Sequence, residues 1–293
     1  MKTDQCYINI PKAQRKFFIY RIISLDRLYD LFQTKKNTLI KPHLWDDPFE
    51  NFVLNLKGKL PNGDIVEFRQ RHNFFGQCWS LKSGSDAMWR IYSTDKKSVC
   101  IQVRINKLTE ITSAYAEGAV YIGKVRYLTG ERLIAWSKRV MRHTTSPGIS
   151  LLAKTLLVKR TSFAHESEIR LLYFSDERYL PFSDDYSKGE STAIYKYNVD
   201  PEWLIESLIL DPRLSSKEAE DLKEQIRSQT KFSRKILHSN LYAPPQEMIL
   251  NLGPQYIRMK RSSGKITYSG KNYTLIKSKK TKNTQLILPV DYT

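Results

Sequence analysis

Apolar residues along the chain gather in short runs and alternations rather than long helical stripes. Phe17-Phe18-Ile19-Tyr20-Arg21 is such a run, ending on arginine, and predicts a strand. Ser24 then stands as N-cap of a helix with Leu25, Leu28, Leu31 and Phe32 on one stripe. Further strands are predicted at Thr38–Lys41, stopped by Pro42, and at Phe74–Leu81, Ser98–Ile105 and Val120–Leu128. Residues 55–73 are polar around the turn Pro61-Asn62-Gly63-Asp64 and read as a surface excursion. Asp86 is placed to cap a short helix carrying Trp89 and Tyr92 on one face. Helices follow at Glu131–Arg142 and Ile149–Val158, separated by the breaker Thr144–Gly148. Asp184–Thr192 reads as a loop, and Ala193–Val199, Leu204–Leu210 and Lys235–Leu241 as strands. Ser215-Ser216-Lys217-Glu218 is a capping box opening a helix to about Gln229. Strands interspersed with a few helices predict an α+β domain on antiparallel or mixed sheets.

The pattern changes after Ala243-Pro244-Pro245, which divides the chain into 1–242 and 243–293. From Met248 to Val290 there is no Asp or Glu. Residues 266–276 alternate about Ser269-Gly270, a hairpin signal, so the extension is expected to be a basic β-hairpin. Arg258, Lys260, Arg261, Lys265 and Lys271, interleaved with Tyr256, Tyr268 and Tyr273, suit backbone charge plus base stacking on single-stranded nucleic acid. They equally suit a charged edge hairpin that resists aggregation. The net charge of +18 favours an anionic partner, nucleic acid above all.

Composition narrows the classes. With 293 residues, 41% hydrophobic, the chain is long enough for a substantial core. No run of 18 apolar residues predicts a membrane span, and Met1–Cys6 lacks the apolar core of a signal peptide, so a cytoplasmic location is expected. Cys6, Cys78 and Cys100 fit neither a disulfide framework nor a zinc site, and the five histidines lack ligand spacing, so no metal site is expected. Glycine-rich nucleotide loops, a nucleophile elbow and a His-Glu-x-x-His motif do not occur.

The stretch Lys159–Phe174 carries the strongest chemical signal. Its second half predicts a strand, with Ile169, Leu171 and Tyr173 on one face and Glu166, Glu168 and Arg170 on the other. Neighbouring carboxylates split their proton affinities, and Arg170 offsets the repulsion for one of them. Such a pair can divide labour between stabilising a cation and handling a proton. A solvated edge strand with a Glu–Arg pair is the alternative.

Tyr20-Arg21, Asp46-Asp47-Pro48-Phe49-Glu50, Cys78-Trp79-Ser80, Met88-Trp89-x-x-Tyr92, Lys159, Glu166-x-Glu168-x-Arg170 and Leu208-Ile209-Leu210-Asp211-Pro212 stand in the order of a large bacterial domain-of-unknown-function family. That family resembles ADP-ribosyltransferases of the Arg–Ser–Glu type, with Arg21, Ser80 and Glu166-Ser167-Glu168 matching in order. The middle motif departs, being Trp-Ser-Leu in place of Ser-Thr-Ser. The resemblance implies an ADP-ribosyltransferase-like fold of split antiparallel or mixed sheets with flanking helices. It implies NAD as co-substrate and a catalytic domain over 1–242. Glu168 and Glu166 would be catalytic, with Tyr20, Arg21, Ser80, Trp89, Tyr92, Lys159 and Arg170 around the NAD. Similarity to anti-phage toxins that ADP-ribosylate RNA implies a messenger-RNA acceptor, a role as toxin in phage defence, and an antitoxin partner. Two other readings stay open on the residues alone. One is a non-catalytic RNA- or DNA-binding module; the other is a metal-dependent nuclease using Asp47, Glu50, Glu166 or Glu168.

Overall fold

The computed structural model describes residues 6–45, 47–59, 62–67, 69–115, 118–141, 148–175 and 193–243, and three strands beyond them. The chain forms two compact units, Met1–Tyr242 and Ala243–Thr293. The loop expected at 184–192, Asp46, Arg258, Lys260 and Arg261 lie outside the described residues, as do the side chains of Lys265 and Lys271.

The first unit is α+β. It opens with β1 (Tyr7–Ile8), β2 (Phe18–Ser24), α1 (Leu25–Thr34) and β3 (Lys36–Ile40), and Ser24 caps α1 by accepting from the Arg27 amide. The excursion at 55–73 contains the short pair β4 (Lys57–Lys59) and β5 (Ile65–Glu67). Then come β6 (Phe74–Ser80), α2 (Asp86–Tyr92), β7 (Ser98–Arg104) and α3 (Ile105–Tyr115). The cap of α2 is Ser85, which accepts from the Met88 amide, while Asp86 pairs one turn on with Arg90. Periodicity had not announced α3, because its buried face includes Thr109 and Thr112 beside Ile105, Leu108 and Ile111. Both hydroxyls donate to carbonyls one turn back, which lets polar residues sit in the core.

The expected strand at 120–128 is two strands, β8 (Gly118–Lys124) and β9 (Arg126–Leu128). Helices α4 (Gly130–Met141) and α5 (Ile149–Thr155) follow, and β10 (Val158–Arg160) pairs with β9 where the sequence predicted helix to Val158. After β11 (Glu168–Ser175) come β12 (Ile194–Asn198), α6 (Pro201–Leu204), β13 (Ile205–Leu210), α7 (Ser216–Thr230) and β14 (Lys235–His238). The Ser215–Glu218 capping box of α7 is formed in both directions.

Ten strands make one mixed sheet, with β1/β8 and β13/β14 parallel and the other pairs antiparallel. It is two half-sheets. One runs β1-β8-β11-β6 and takes in β3 and β12; the other runs β2-β7-β13-β14. They are joined at one residue pair, Tyr20 opposite Ser80. Beyond it β2 and β6 part, and backbone freed from pairing borders a cleft.

Strand β11 lies between β8 and β6, buried throughout its length. Ile169, Leu171 and Tyr173 enter one apolar cluster; Leu172 and Phe174 enter another on the opposite face. A solvated edge strand is therefore excluded for this segment. In the second unit β15 (Lys265–Tyr268) and β16 (Lys271–Lys277) form an antiparallel hairpin, extended by β17 (Thr284–Leu286). No described helix is long and apolar enough to cross a membrane.

Candidate active site

A cavity of about 520 Å³ opens where the half-sheets part. Tyr20 and Arg21 border it from β2, Ser80 and Cys78 from β6, Met88, Ile91 and Tyr92 from α2, and Lys159, Glu166 and Glu168 from the segment leading into β11. Of the nine residues expected around catalysis and NAD, seven meet here. Trp89 and Arg170 do not line it. Trp89 is fully buried behind α2 while Tyr92, three residues on, is 49% exposed: the edge of the buried stripe runs between them. Arg170 is also fully buried and reaches the cavity only through its partners.

Glu166 is not on the strand. It ends a 3-10 turn spanning Thr161–Glu166, and Ser167 then takes a left-handed conformation (φ 47°) before β11 begins. The reversal is pinned on both sides. The Ser80 hydroxyl donates to the Glu166 carbonyl at 2.6 Å, the Leu81 amide to Ser167 O at 3.0 Å, and the Glu168 amide to Tyr127 Oη at 2.8 Å. The two carboxylates thus converge from different elements instead of standing on one pleated face.

They meet on Lys159, whose Nζ lies 2.6 Å from Glu166 Oε2 and 3.4 Å from Glu168 Oε2. Arg170 grips Glu168 through Nε (2.8 Å) and Nη2 (3.0 Å). Glu50 is the carboxylate that the resemblance did not place in the site. It bonds Lys159 Nζ at 2.8 Å and Arg170 Nη2 at 2.8 Å. The Arg170 fork is completed by the Leu156 carbonyl at 2.7 Å, and its Cζ lies 4.4 Å from the centroid of the Trp45 ring. Trp45 can lie there because residue 76 is glycine: a Cβ at Gly76 would stand 2.6 Å from Trp45 Cζ2.

Three buried carboxylates facing two cations leave one negative charge in surplus, and the proton affinities divide accordingly. Burial alone would raise Glu168, but the charge and hydrogen bonds of Arg170, with Lys159, hold it well below the usual range. Glu166 is raised, first by burial, which its bond to Lys159 only partly offsets, and further by Glu168 and Glu50. Burial would lower Lys159; the three carboxylates outweigh that and raise it. One carboxylate is held as an anion; the other is the readier proton acceptor.

Arg21 differs from every other cation at the cavity. Among the described residues no hydrogen bond or ion pair engages its guanidinium, and burial lowers its pKa. A half-buried guanidinium without an anion carries a desolvation cost that a bound anion would offset. Tyr20 is engaged, its hydroxyl accepting from Gln102 Nε2 at 3.0 Å.

The acids of the nuclease alternative are all paired with side-chain cations: Asp47 with Arg160 (2.9 Å), the three glutamates with Lys159 and Arg170. Among the described residues no acid, histidine or cysteine group is arranged to hold a metal.

The profile of a family described as Protein of unknown function (DUF2971) matches residues 88–171, a span that includes Tyr92, Lys159, Glu166, Glu168 and Arg170. No curated protein matches the chain. Among solved structures, Thermus sp. 2.9 DarT in complex with NAD+ is similar at 11% identity and a TM-score of 0.34, over 79% of this chain and 98% of that one. Thermus sp. 2.9 DarT in complex with carba-NAD+ stands at 12% identity and 0.34, over 79% and 97%. Thermus sp. 2.9 DarT in complex with ADP-ribosylated ssDNA stands at 11% and 0.34, over 79% and 96%.

Proposed function

We propose that the protein is an NAD-dependent mono-ADP-ribosyltransferase acting on nucleic acid. The observation that carries this reading is one cavity at the sheet junction that brings together Ser80, the Glu166 and Glu168 carboxylates, and Arg21, whose guanidinium has no partner among the described residues. Arg21, Ser80 and the Glu166-Ser167-Glu168 segment come from three distant parts of the chain, and the Arg–Ser–Glu resemblance asks for them together.

The donor set suits NAD. Arg21 offers a bidentate contact to the pyrophosphate, and the surplus negative charge around Lys159 suits the cationic nicotinamide end. NAD as substrate supplies the ADP-ribosyl group: the bond between nicotinamide nitrogen and ribose carbon breaks, and nicotinamide leaves with the electron pair. Glu168 stabilises positive charge developing on the ribose, a preorganised anion where charge appears. Glu166 accepts the proton that the acceptor atom loses as it bonds the ribose carbon. Tyr92 walls the nicotinamide side. Ser80 acts through the backbone, fixing the turn that presents both carboxylates. Arg170 holds Glu168 from behind.

The +18 charge and the acid-free stretch 248–290 support a nucleic-acid acceptor, with RNA the form expected. An enzyme that marks its host's nucleic acid is toxic, so a neutralising partner belongs to this reading. The test is transfer from labelled NAD in separate incubations with RNA, single-stranded DNA and protein, using wild type and Glu168→Gln. The expected result is label on nucleic acid with wild type alone. Label on protein overturns the acceptor. No label in any arm, with nucleic acid still bound, leaves a binding module.

A further inference from the structure

Glu50 reaches the cavity from the loop after β3, and that loop is built to hold it. The Glu50 amide donates to Asp47 O at 2.9 Å, the Phe49 amide to Asp47 Oδ1 at 3.1 Å, and Arg160 Nη2 to the same carboxylate at 2.9 Å. Asn51 Nδ2 ties the next residue to Pro42 O at 2.8 Å. The product is a buried carboxylate directed at two cations at once.

Those contacts close a ring of alternating charge. Lys159 touches Glu50 at 2.8 Å and Glu168 at 3.4 Å; Arg170 touches Glu50 at 2.8 Å and Glu168 at 2.8 Å. All four side chains are at most 8% exposed. The ring is neutral, and Glu166 hangs from it through Lys159 as the surplus anion. Without Glu50 the two cations would face Glu166 and Glu168 alone, and the cluster would have no charge left to offer a cation.

We propose that Glu50 is a positioning residue for the transferase reaction: by sharing Lys159 and Arg170 with Glu168, it keeps these cations from neutralising the two catalytic carboxylates. The proposal rests on the reading given above. A purely structural Glu50 would be needed for folding, yet its charge would not reach Glu166. Glu50→Gln separates the two, since the amide keeps the shape and an acceptor oxygen while removing the charge.

The experiment follows the side-chain carboxyl carbon of Glu166 by ¹³C NMR across pH in wild type, Glu50→Gln and Glu50→Asp, the signal assigned with Glu166→Gln. Turnover of NAD is measured in parallel. Removing a like charge favours the ionised form, so the Glu166 midpoint is expected to fall by about one unit in Glu50→Gln and by less in Glu50→Asp. kcat is expected to drop about tenfold or more, with KM for NAD within about threefold, the mark of an interaction used in the transition state. A folded Glu50→Gln with an unmoved Glu166 midpoint overturns the proposal. Should Glu50→Gln fail to fold, a folded Glu50→Ala, which also removes the charge, with an unmoved midpoint does so instead. A wild type that turns over no NAD sinks the transferase, while the titration still decides whether Glu50 sets the charge at Glu166.

Discussion

Ser80 and Glu168 face each other as paired residues of β6 and β11, yet the Ser80 hydroxyl bonds the Glu166 carbonyl at 2.6 Å. The same hydroxyl accepts from the Lys82 amide at 3.0 Å, so one small side chain serves two backbone groups. Ser80→Ala leaves a buried carbonyl without its donor, at a cost of about 1–3 kcal/mol. The expected outcome is a lower Tm together with a fall in kcat, because the turn carrying Glu166 loosens. Ser80→Thr, which keeps the hydroxyl, is expected to recover part of both. Activity lost in Ser80→Ala with Tm unchanged would assign the hydroxyl to substrate instead.

Arg21 supplies the opposite expectation. With no partner among the described residues, its charge gains nothing from the fold and loses solvation. Arg21→Gln is expected to leave Tm unchanged or raised while weakening NAD binding about tenfold to a hundredfold, as loss of charge-assisted hydrogen bonds does. Arg21→Lys restores the charge without the planar fork and falls between. Calorimetric titration with NAD and a thermal melt of each variant check this. Undiminished binding in Arg21→Gln would remove Arg21 from the phosphate site.

What could be read from the chain follows the reach of each interaction. Ser24 and Ser215 cap residues three positions away, so their helices were visible as local patterns. Arg21, Ser80 and Glu168 were visible as motifs in order, though nothing in their spacing reveals a cleft between half-sheets. Glu50 meets Arg170 across 120 residues, and its Asp-Pro loop signalled a turn that could wall a pocket or merely cap a helix. Alternation puts Glu166 on the strand by running two residues too far back: the left-handed Ser167 separates the 3-10 turn that ends on Glu166 from the strand that begins at Glu168. Trp89 and Tyr92 satisfied one helical spacing and went to different environments, since spacing fixes a face and not the depth at which it is buried. The threonines of α3 hid a helix by satisfying their hydroxyls within it.

Gly76 tests how far the support of Arg170 extends. A methyl there would lie 2.6 Å from Trp45 Cζ2 and 3.2 Å from Leu172 Cδ2, both ring or branched carbons in packed surroundings. Gly76→Ala is expected to push Trp45 off the Arg170 guanidinium and to destabilise the unit by about 1–3 kcal/mol. Its signature is a change in tryptophan fluorescence together with a lower Tm. A Tm equal to wild type would mean that Trp45 moves without cost and plays no part in seating Arg170.

Glu166 connects the site to stability through pH. Its pKa in the folded protein is raised, first by burial and then by Glu168 and Glu50, above an unfolded value of about 4.3. Below the unfolded value both states carry the proton and nothing is lost. As pH climbs toward the folded value the unfolded chain releases its proton first, so Glu166 destabilises the fold by about 1.4 kcal/mol for each unit its pKa is raised. Glu168 has the reverse sign: its folded value is lowered, so the stability it contributes is present above the unfolded value and is lost as pH falls through the folded one. Glu166→Gln mimics the protonated acid and can still accept from Lys159. Chemical denaturation from pH 3 to 8 is therefore expected to show Glu166→Gln equal to wild type at the acid end and more stable above about pH 5. The same variant is expected to lose transfer to the acceptor, because the amide cannot take a proton. Equal stability at every pH would mean that the surplus charge does not reside on Glu166, and the division of labour between the two glutamates would fall with it.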